Sequence, residues 1–180
     1  MSKAIADLMN EHEAIRSAIQ ILEKMITAIE KNTSVDKKDI HDFIGFLKEF
    51  ADKCHHGKEE GLLFPAMIAA GVPDRSGPIG VMLAEHAQGR KLIRDMEESI
   101  STDVDRIKLA QAAREYANFL RNHIQKENTV LFPMAEKVLT ETQLEKLYEG
   151  FEEHEEKVIG QGRHEELHAM LKNLREKYPM

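Results

Sequence analysis

Two copies of one short sequence decide the fold: residues 54–65 read CHHGKEEGLLFP, and residues 122–133 read NHIQKENTVLFP. Aligning their Leu-Phe-Pro endings places His55 on His123 and Glu59 on Glu127, so each copy contains His-x-x-x-Glu. Residues four apart on a helix lie on one face, about 6 Å apart along the axis. A His and a Glu placed in this way can both reach one point beside the helix. Each copy is therefore suited to hold part of a shared metal centre.

The composition predicts a soluble cytoplasmic protein of one domain. The chain has 180 residues, which is enough to bury a core. Its formal net charge of −7, without a Lys/Arg-rich stripe, argues against binding nucleic acid or an anionic membrane surface. The single cysteine, Cys54, excludes an internal disulfide framework. The most apolar run, residues 62–72, is too short to cross a membrane, and the amphipathic N-terminus is unlike a signal peptide.

Apolar residues spaced alternately by three and four predict an all-α fold, an antiparallel up-down four-helix bundle with an additional C-terminal helix. The four bundle helices are expected at residues 3–31, 36–70, 79–100 and 104–139. Thr33 or Ser34 is expected to cap the second helix, and residues 101–103 the fourth. Pro65 is expected to kink or end its helix, because proline cannot donate to the carbonyl four residues back.

Each predicted bundle helix carries a histidine within its apolar stripe: His12, His55, His86 and His123. Two of these helices also carry Glu59 or Glu127 one turn later. A direct His–Glu hydrogen-bond network would leave several ring nitrogens and carboxylate lone pairs without partners, at about 1–3 kcal/mol each. Divalent metal ions satisfy all of these groups at once. We therefore predict a pair of metal ions inside the bundle.

The predicted ligands favour particular metals. They include no cysteine, and mixed imidazole and carboxylate donors suit iron, with manganese or zinc as competitors. A carboxylate can bridge two ions about 3.5–4 Å apart. Our assignment places two histidines on each ion and bridges the ions with both carboxylates: His12 and His55, His86 and His123, Glu59 and Glu127. This leaves coordination positions open for water, oxide, O2 or another small molecule.

A fifth helix is predicted from a capping box at residues 140–143 to about Lys177, packed across the outside of the bundle. Gly160 and Gly162 indicate a kink or a close backbone contact within it. The segment also contains His154, His164 and His168. The last two have metal-ligand spacing, but they lie in a charged run, so we interpret them as surface or packing residues.

Residues 1–139 resemble the hemerythrin-like HHE cation-binding proteins, which are four-helix bundles with a non-haem di-iron centre. The matched motif positions are His12, His55-x-x-x-Glu59, His86 and His123-x-x-x-Glu127. The resemblance implies one hemerythrin-like domain over residues 1–180, with the bundle in 1–139 and a helical extension in 140–180. It also implies two iron ions (Fe2+/Fe3+, bridged by oxide or hydroxide) as cofactor, rather than zinc.

The sequence departs from the oxygen-carrying hemerythrins, which have five histidine ligands where the matched pattern supplies four. His56 is a candidate additional metal ligand, because some HHE proteins carry one at this position. On an α-helix, however, His56 is rotated about 100° from His55, so it can equally face solvent or another helix. Glu60 has the same ambiguity.

Three functions fit the predicted centre, and whether the protein is an enzyme stays open. The first is binding of O2 or a related small oxidant, such as NO or peroxide, for oxygen or iron binding, sensing or detoxification. The second is a di-iron redox enzyme for peroxide breakdown, NO reduction or iron delivery for repair. Tyr116, about two turns before His123, is then a candidate electron route, with core packing as the alternative. The third is a metal-responsive interaction module whose fifth helix reports to a protein partner.

Overall fold

Six helices make up the computed structural model, which describes residues 1–31, 33 and 35–178, and no strand occurs among these residues. They are α1 (Lys3–Glu30), α2 (residues 37–69), α3 (Pro78–Glu98), α4 (residues 106–138), α5 (Glu141–Val158) and α6 (Arg163–Lys177). The predicted all-α class is confirmed. None of the described helices combines the length and the apolar character that a membrane crossing needs.

Helices α2 and α4 widen into π-helix next to the repeated sequence. In α2 the π segments are Leu47–His56 and Glu59–Leu63, and in α4 the segment is Glu127–Leu131. The N–H of Phe64 bonds to the carbonyl of Glu59, five residues back. The wide turn directly precedes Pro65, which lacks an N–H, and the chain then continues as the α-helix Phe64–Ala69. Pro65 therefore does not end the helix.

The observed helix caps correct two predictions. Asp36 caps α2 by accepting a hydrogen bond from the N–H of Lys38, so Thr33 does not fill that role, and Ser34 lies outside the described residues. Asp105 caps α4 in place of residues 101–103, because its carboxylate reaches the N–H of Lys108. The capping box predicted for the start of α5 is present between Thr140 and Gln143.

Contacts between long helices run in opposite order along the two partners. Ser2, beside the start of α1, bonds to Glu136 near the end of α4, at 2.6 Å between N and Oε1. Glu30, at the end of α1, bonds to Arg114 in the first half of α4, at 2.6 Å between Oε1 and Nη2. The same reversal links α2 to α3 through two pairs, Glu60 with Arg90 and Lys48 with Glu97.

Apolar side chains form two clusters that enclose a layer of buried polar groups. Along α1, Leu8 belongs to one cluster and Ile15 to the other, and His12 lies between them. Along α4 the clusters follow in the reverse order, with His123 and Glu127 between Leu120 of the second cluster and Leu131 of the first. Each fully buried Leu, Ile or Phe contributes about 1.5–3 kcal/mol. The two apolar clusters therefore hold the helices together, and the buried polar layer between them is not what stabilises this packing.

The predicted fifth helix is two helices, which corrects the expectation of one continuous element. The chain breaks after Val158 because Gly160 and Gly162 adopt φ angles of 89° and 82°, a left-handed conformation incompatible with a continuing helix. Helix α5 buries Leu144, Leu147 and Phe151, and α6 buries Leu167, Leu171 and Leu174. Both pack against α1 and α2, so the extension covers the outside of these helices as predicted.

Phe151 is the residue through which α5 should contribute most to stability. Its side chain is fully buried in the cluster that contains Leu8, Phe64 and Phe132. Phe151→Ala is expected to lower the free energy of unfolding by about 3–5 kcal/mol, because the truncation leaves a cavity. Urea denaturation of the metal-free protein measures this. Val158→Ala, at a side chain 40% exposed on the same helix, is the control, expected within about 0.5 kcal/mol of wild type. Equal losses in both variants would contradict the prediction.

Candidate metal centre

Five histidines and two glutamates converge in the polar layer. His12 comes from α1, His86 from α3, and the other five residues come from α2 and α4: His55, His56, Glu59, His123 and Glu127. All seven side chains are buried, with at most 5% of any residue exposed. The six residues predicted from the sequence are therefore brought together, and His56 joins them.

His56 faces the interior because of the π-helix around it. Its ring stacks on that of His86, with centroids 3.9 Å apart and planes 15° apart. An α-helix turns about 100° per residue, so consecutive side chains diverge. The segment Leu47–His56 has more residues per turn, so His55 and His56 diverge less and both reach the polar layer. The orientation of His56 stayed open in the sequence because the rotation of about 100° per residue holds only for a regular α-helix.

Each of the five histidines uses its Nδ1 atom to contact an oxygen outside the centre. The pairs are His12 with Asn128 (2.8 Å), His55 with Glu11 (2.8 Å), His56 with Asp52 (3.4 Å), His86 with Glu60 (2.6 Å) and His123 with Glu85 (2.9 Å). Each acceptor oxygen places the proton on Nδ1 of the neutral ring. This arrangement fixes each ring and leaves the Nε2 lone pair available to a metal, as outer hydrogen bonds do for metal-bound histidines.

The inward atoms of the same residues have no hydrogen-bond partner among the described residues. This holds for the five Nε2 atoms and for all four carboxylate oxygens of Glu59 and Glu127. They nevertheless lie close together: His123 Nε2 is 3.0 Å from Glu127 Oε1, and His86 Nε2 is 3.3 Å from Glu59 Oε2. Each orphaned buried polar atom is destabilising by about 1–3 kcal/mol. The donor set therefore fits divalent metal ions, which would partner these atoms together.

The donor atoms fall into two groups suited to one ion each. One group is His12, His55, Glu59 and Glu127, and the other is His56, Glu59, His86 and His123. Within each group, one donor atom per residue lies within 4.8 Å of all the others. Glu59 belongs to both groups. Glu127 belongs to the first, and its Oε1 also lies 3.7 Å from His86 Nε2 in the second. Both carboxylates thus lie between the two groups.

The outer carboxylates Glu11 and Glu85 were not predicted as part of the site, although the sequence held a signal for them. Each directly precedes a stripe histidine, His12 or His86. Each reaches across to a histidine of another helix, because adjacent residues on one helix do not face each other. Glu11 bonds to His55 of α2, and Glu85 bonds to His123 of α4. The local Glu-His pairs therefore link α1 to α2 and α3 to α4.

Lysines at equivalent positions of the repeat bind these outer carboxylates. Lys126 Nζ donates to Glu85. Lys58 is completely buried, and its Nζ lies 2.8 Å from Glu11 Oε1, 2.9 Å from Asp7 Oδ2 and 3.1 Å from Glu155 Oε2. Burial alone would lower the pKa of Lys58, but Glu11 and Asp7 outweigh it and raise the pKa. Lys58 therefore stays charged and joins α5 to the outer side of the centre.

Lys58→Met is expected to lower the free energy of unfolding by about 3–5 kcal/mol, because it leaves three carboxylates around a buried site without their cation. The matched control is Lys126→Met, at the equivalent repeat position but with its side chain 43% exposed. A solvent-exposed pair contributes about 0–1 kcal/mol. Urea denaturation of both variants at pH 7 compares them. A loss for Lys58→Met no larger than that for Lys126→Met would contradict the prediction.

The pKa values divide the histidines of the metal-free centre into two kinds. Burial lowers the pKa of His55 to about 3 and also lowers that of His56, so both are neutral. Burial opposes the charged form of His86 as well, but Glu127, Glu59 and Glu60 outweigh it and raise its pKa to about 11. Glu127 likewise raises the pKa of His123 to about 9 against the effect of burial. In the metal-free protein the nearby carboxylates therefore favour the protonated form of His86 and His123, and a metal ion would have to displace these two protons.

Three residues near the centre, Tyr116, Gly89 and Cys54, pack in the core. Tyr116 is 1% exposed in the apolar cluster, where its hydroxyl has no hydrogen-bond partner among the described residues. A Cβ on Gly89 would lie 3.4 Å from Cε1 of Phe119, so this glycine makes room for α4. Cys54 is fully buried, and burial raises the pKa of its thiol.

Comparison with known proteins identifies the family of the chain. The model of the hemerythrin HHE cation-binding domain family matches residues 3–135. The chain belongs to this family. Uncharacterised proteins of Mycobacterium bovis and of two Mycobacterium tuberculosis strains are each 23% identical over 160 residues, which is 86% of this chain. The chain spans 62% of the length of these curated relatives. No solved structure matches.

Proposed function

We propose that the protein binds two iron ions between its helices and uses them to bind O2 or a related small oxidant such as NO or peroxide. The observation that carries the proposal is the set of buried Nε2 and carboxylate oxygen atoms without hydrogen-bond partners. Iron bound there would supply a redox couple and open coordination positions for a small ligand. Mixed imidazole and carboxylate donors suit iron, and family membership favours cation binding.

In the proposed arrangement, one ion is held by His12 and His55 and the other by His56, His86 and His123. Glu59 and Glu127, which lie between the two groups of donor atoms, would contact both ions. The four long helices form an antiparallel up-down bundle around this pair, in agreement with the reversed order of contacts between α1 and α4 and between α2 and α3. Unequal numbers of histidines would leave more open coordination on the first ion. The small ligand is therefore expected to bind on the side of His12 and His55.

An anaerobic iron titration followed by exposure to O2 or NO tests this proposal. The purified protein is expected to bind two Fe2+ ions per chain and to change its visible absorption when the ligand is added. The proposal would be refuted if the protein takes up no iron, or if the absorption spectrum of the ferrous form does not change on addition of O2 or NO. Steady-state assays with peroxide and NO then separate reversible binding from turnover.

His56→Ala tests whether His56, the fifth histidine of the centre, binds iron. Removing one of three imidazoles from an ion is expected to weaken iron binding on that side by about 10-fold or more, while the other ion is retained. Equilibrium dialysis against Fe2+ gives the stoichiometry. His41→Ala, at an exposed histidine of α2, is the control and is expected to bind two ions. Unchanged iron affinity in His56→Ala would exclude His56 as a ligand.

A second function, a metal-responsive interaction module, is favoured by the contact chain from the centre to the extension. His55 contacts Glu11, Glu11 contacts Lys58, and Lys58 contacts Glu155 of α5. Iron would stabilise the state that holds its ligands in place, and this chain would transmit the effect to α5. Hydrogen exchange of residues 141–177 with and without iron tests it. Equal exchange rates would remove this function from consideration.

A further inference from the structure

Two histidines of α6, outside the bundle, face each other. His164 and His168 lie one turn apart, and their Nε2 atoms are 3.4 Å apart, with ring planes at 69°. Both rings also pack against Phe50 of α2, each with its centroid 5.5 Å away. Two imidazole nitrogens bound to one tetrahedral ion at about 2.0–2.1 Å would be separated by about 3.3–3.4 Å. The observed separation therefore equals that of two ligands sharing an ion.

A carboxylate of α5 lies beside this pair. Glu155 Oε1 is 3.9 Å from His164 Nε2, while Glu155 Oε2 is held by Lys58 at 3.1 Å. After the turn at Gly160 and Gly162, α6 continues along α2, with Arg163 beside Glu49 and Tyr178 beside Asp39, and its first turn lies next to Glu155. The sequence of residues 164–168, HEELH, also has the His-Glu-x-x-His pattern found on zinc-binding helices. The two imidazoles of α6 thus contact each other, and the carboxylate from α5 lies beside the first of them.

The charges around Glu155 favour an added cation. Lys58 supplies one positive charge to three carboxylates, those of Asp7, Glu11 and Glu155, so two negative charges are in excess. Burial raises the pKa of Asp7, Lys58 opposes this shift, and the smaller repulsion from Glu11 and Glu155 adds to it. Burial and the neighbouring His164 lower the pKa of His168, which keeps its imidazole neutral and able to bind metal. A divalent cation beside Glu155 would balance the charge.

We propose that His164, His168 and Glu155 form a second metal site, separate from the buried centre, which binds one divalent transition-metal ion of the zinc type. Imidazole and carboxylate donors suit such ions. His168 is exposed, so the ion can exchange with solvent. A bound ion would join α5 to α6 across the glycine turn. It would also share Glu155 with Lys58, and so would lie next to the outer side of the buried centre.

A zinc titration of the full-length protein, without an affinity tag, tests this site. The protein is first loaded with iron, excess iron is removed, and Zn2+ binding is followed by calorimetry while the retained iron is measured. Wild type is expected to bind one Zn2+ per chain with no loss of iron. The double variant His164→Ala/His168→Ala is expected to lose this zinc, and Glu155→Gln to bind it about 10-fold more weakly, because one donor becomes neutral.

His41→Ala is the matched control, since it removes an exposed histidine of α2, and it should bind zinc as wild type does. Circular dichroism checks folding, and if the double variant does not fold, His168→Ala alone is expected to weaken binding about 10-fold. If the protein takes up no iron, the metal-free wild type should still bind one more Zn2+ than the double variant. No zinc bound by wild type, equal binding by wild type and folded variant, or release of iron in step with zinc uptake would overturn the proposal.

Discussion

Glu59→Gln is expected to lower the iron content from two ions per chain to fewer than one. Glu59 is the residue shared by both groups of donor atoms, and both of its carboxylate oxygens lack a hydrogen-bond partner among the described residues. The amide has nearly the same volume but carries no charge, and it can offer only one oxygen where two ions need a bridge. Iron analysis after anaerobic loading and desalting measures the loss.

Two other carboxylates, one beside the centre and one exposed on α5, provide graded controls for Glu59→Gln. Glu60 contacts Nδ1 of His86 from outside the centre, so Glu60→Gln is expected to keep both ions with affinity reduced about 10–100-fold. Glu145, exposed on α5, should tolerate Gln without effect. If Glu59→Gln retains two tightly bound ions, Glu59 does not bridge a metal pair.

Loading the metal-free protein with two Fe2+ ions at pH 7 is expected to release about two protons per chain. The pKa values of His86 and His123, about 11 and about 9, keep both rings protonated without metal. A metal binds only the neutral imidazole, so each ring must lose its proton. Anaerobic calorimetry in buffers of different ionisation enthalpy gives the number released. A value near zero would show that both rings are already neutral.

The same pKa values predict how pH changes stability and affinity. Both folded-state values lie above the ordinary histidine pKa of about 6.5. The stability that these protonated rings contribute to the metal-free protein is therefore fully present below about pH 6.5. It is lost as pH rises through about 9 for His123 and about 11 for His86. Metal affinity moves in the opposite direction and rises with pH up to those values. The difference in midpoint temperature between iron-loaded and metal-free protein should therefore increase from pH 6 to pH 8, which thermal melts measure.

The sequence predicted the helices and the inner residues of the centre because both follow from side-chain spacing. His12 and His86 could be found because they interrupt apolar stripes of regular period. The repeated His-x-x-x-Glu positions were found because the repeat itself marked them. All these residues are buried together in the structure.

The structure departs from the sequence expectations where the backbone departs from a regular α-helix. The orientation of His56 depends on the π segment Leu47–His56, for which periodicity gave no sign. The break between α5 and α6 depends on φ angles at Gly160 and Gly162, and the sequence indicated only a kink there. The buried Lys58 was also missed, because a lysine beside a charged run usually faces solvent, and its three carboxylate partners lie on two other helices, α1 and α5.

The oxygen atoms behind the five rings are not chemically equivalent. His55, His56, His86 and His123 each face a carboxylate, whereas His12 faces the neutral amide of Asn128. A carboxylate partner makes an imidazole a stronger electron donor than an amide partner does. Two cations held in this layer would consequently differ in reduction potential. The ion beside His12 would meet the least electron-rich of the five imidazoles.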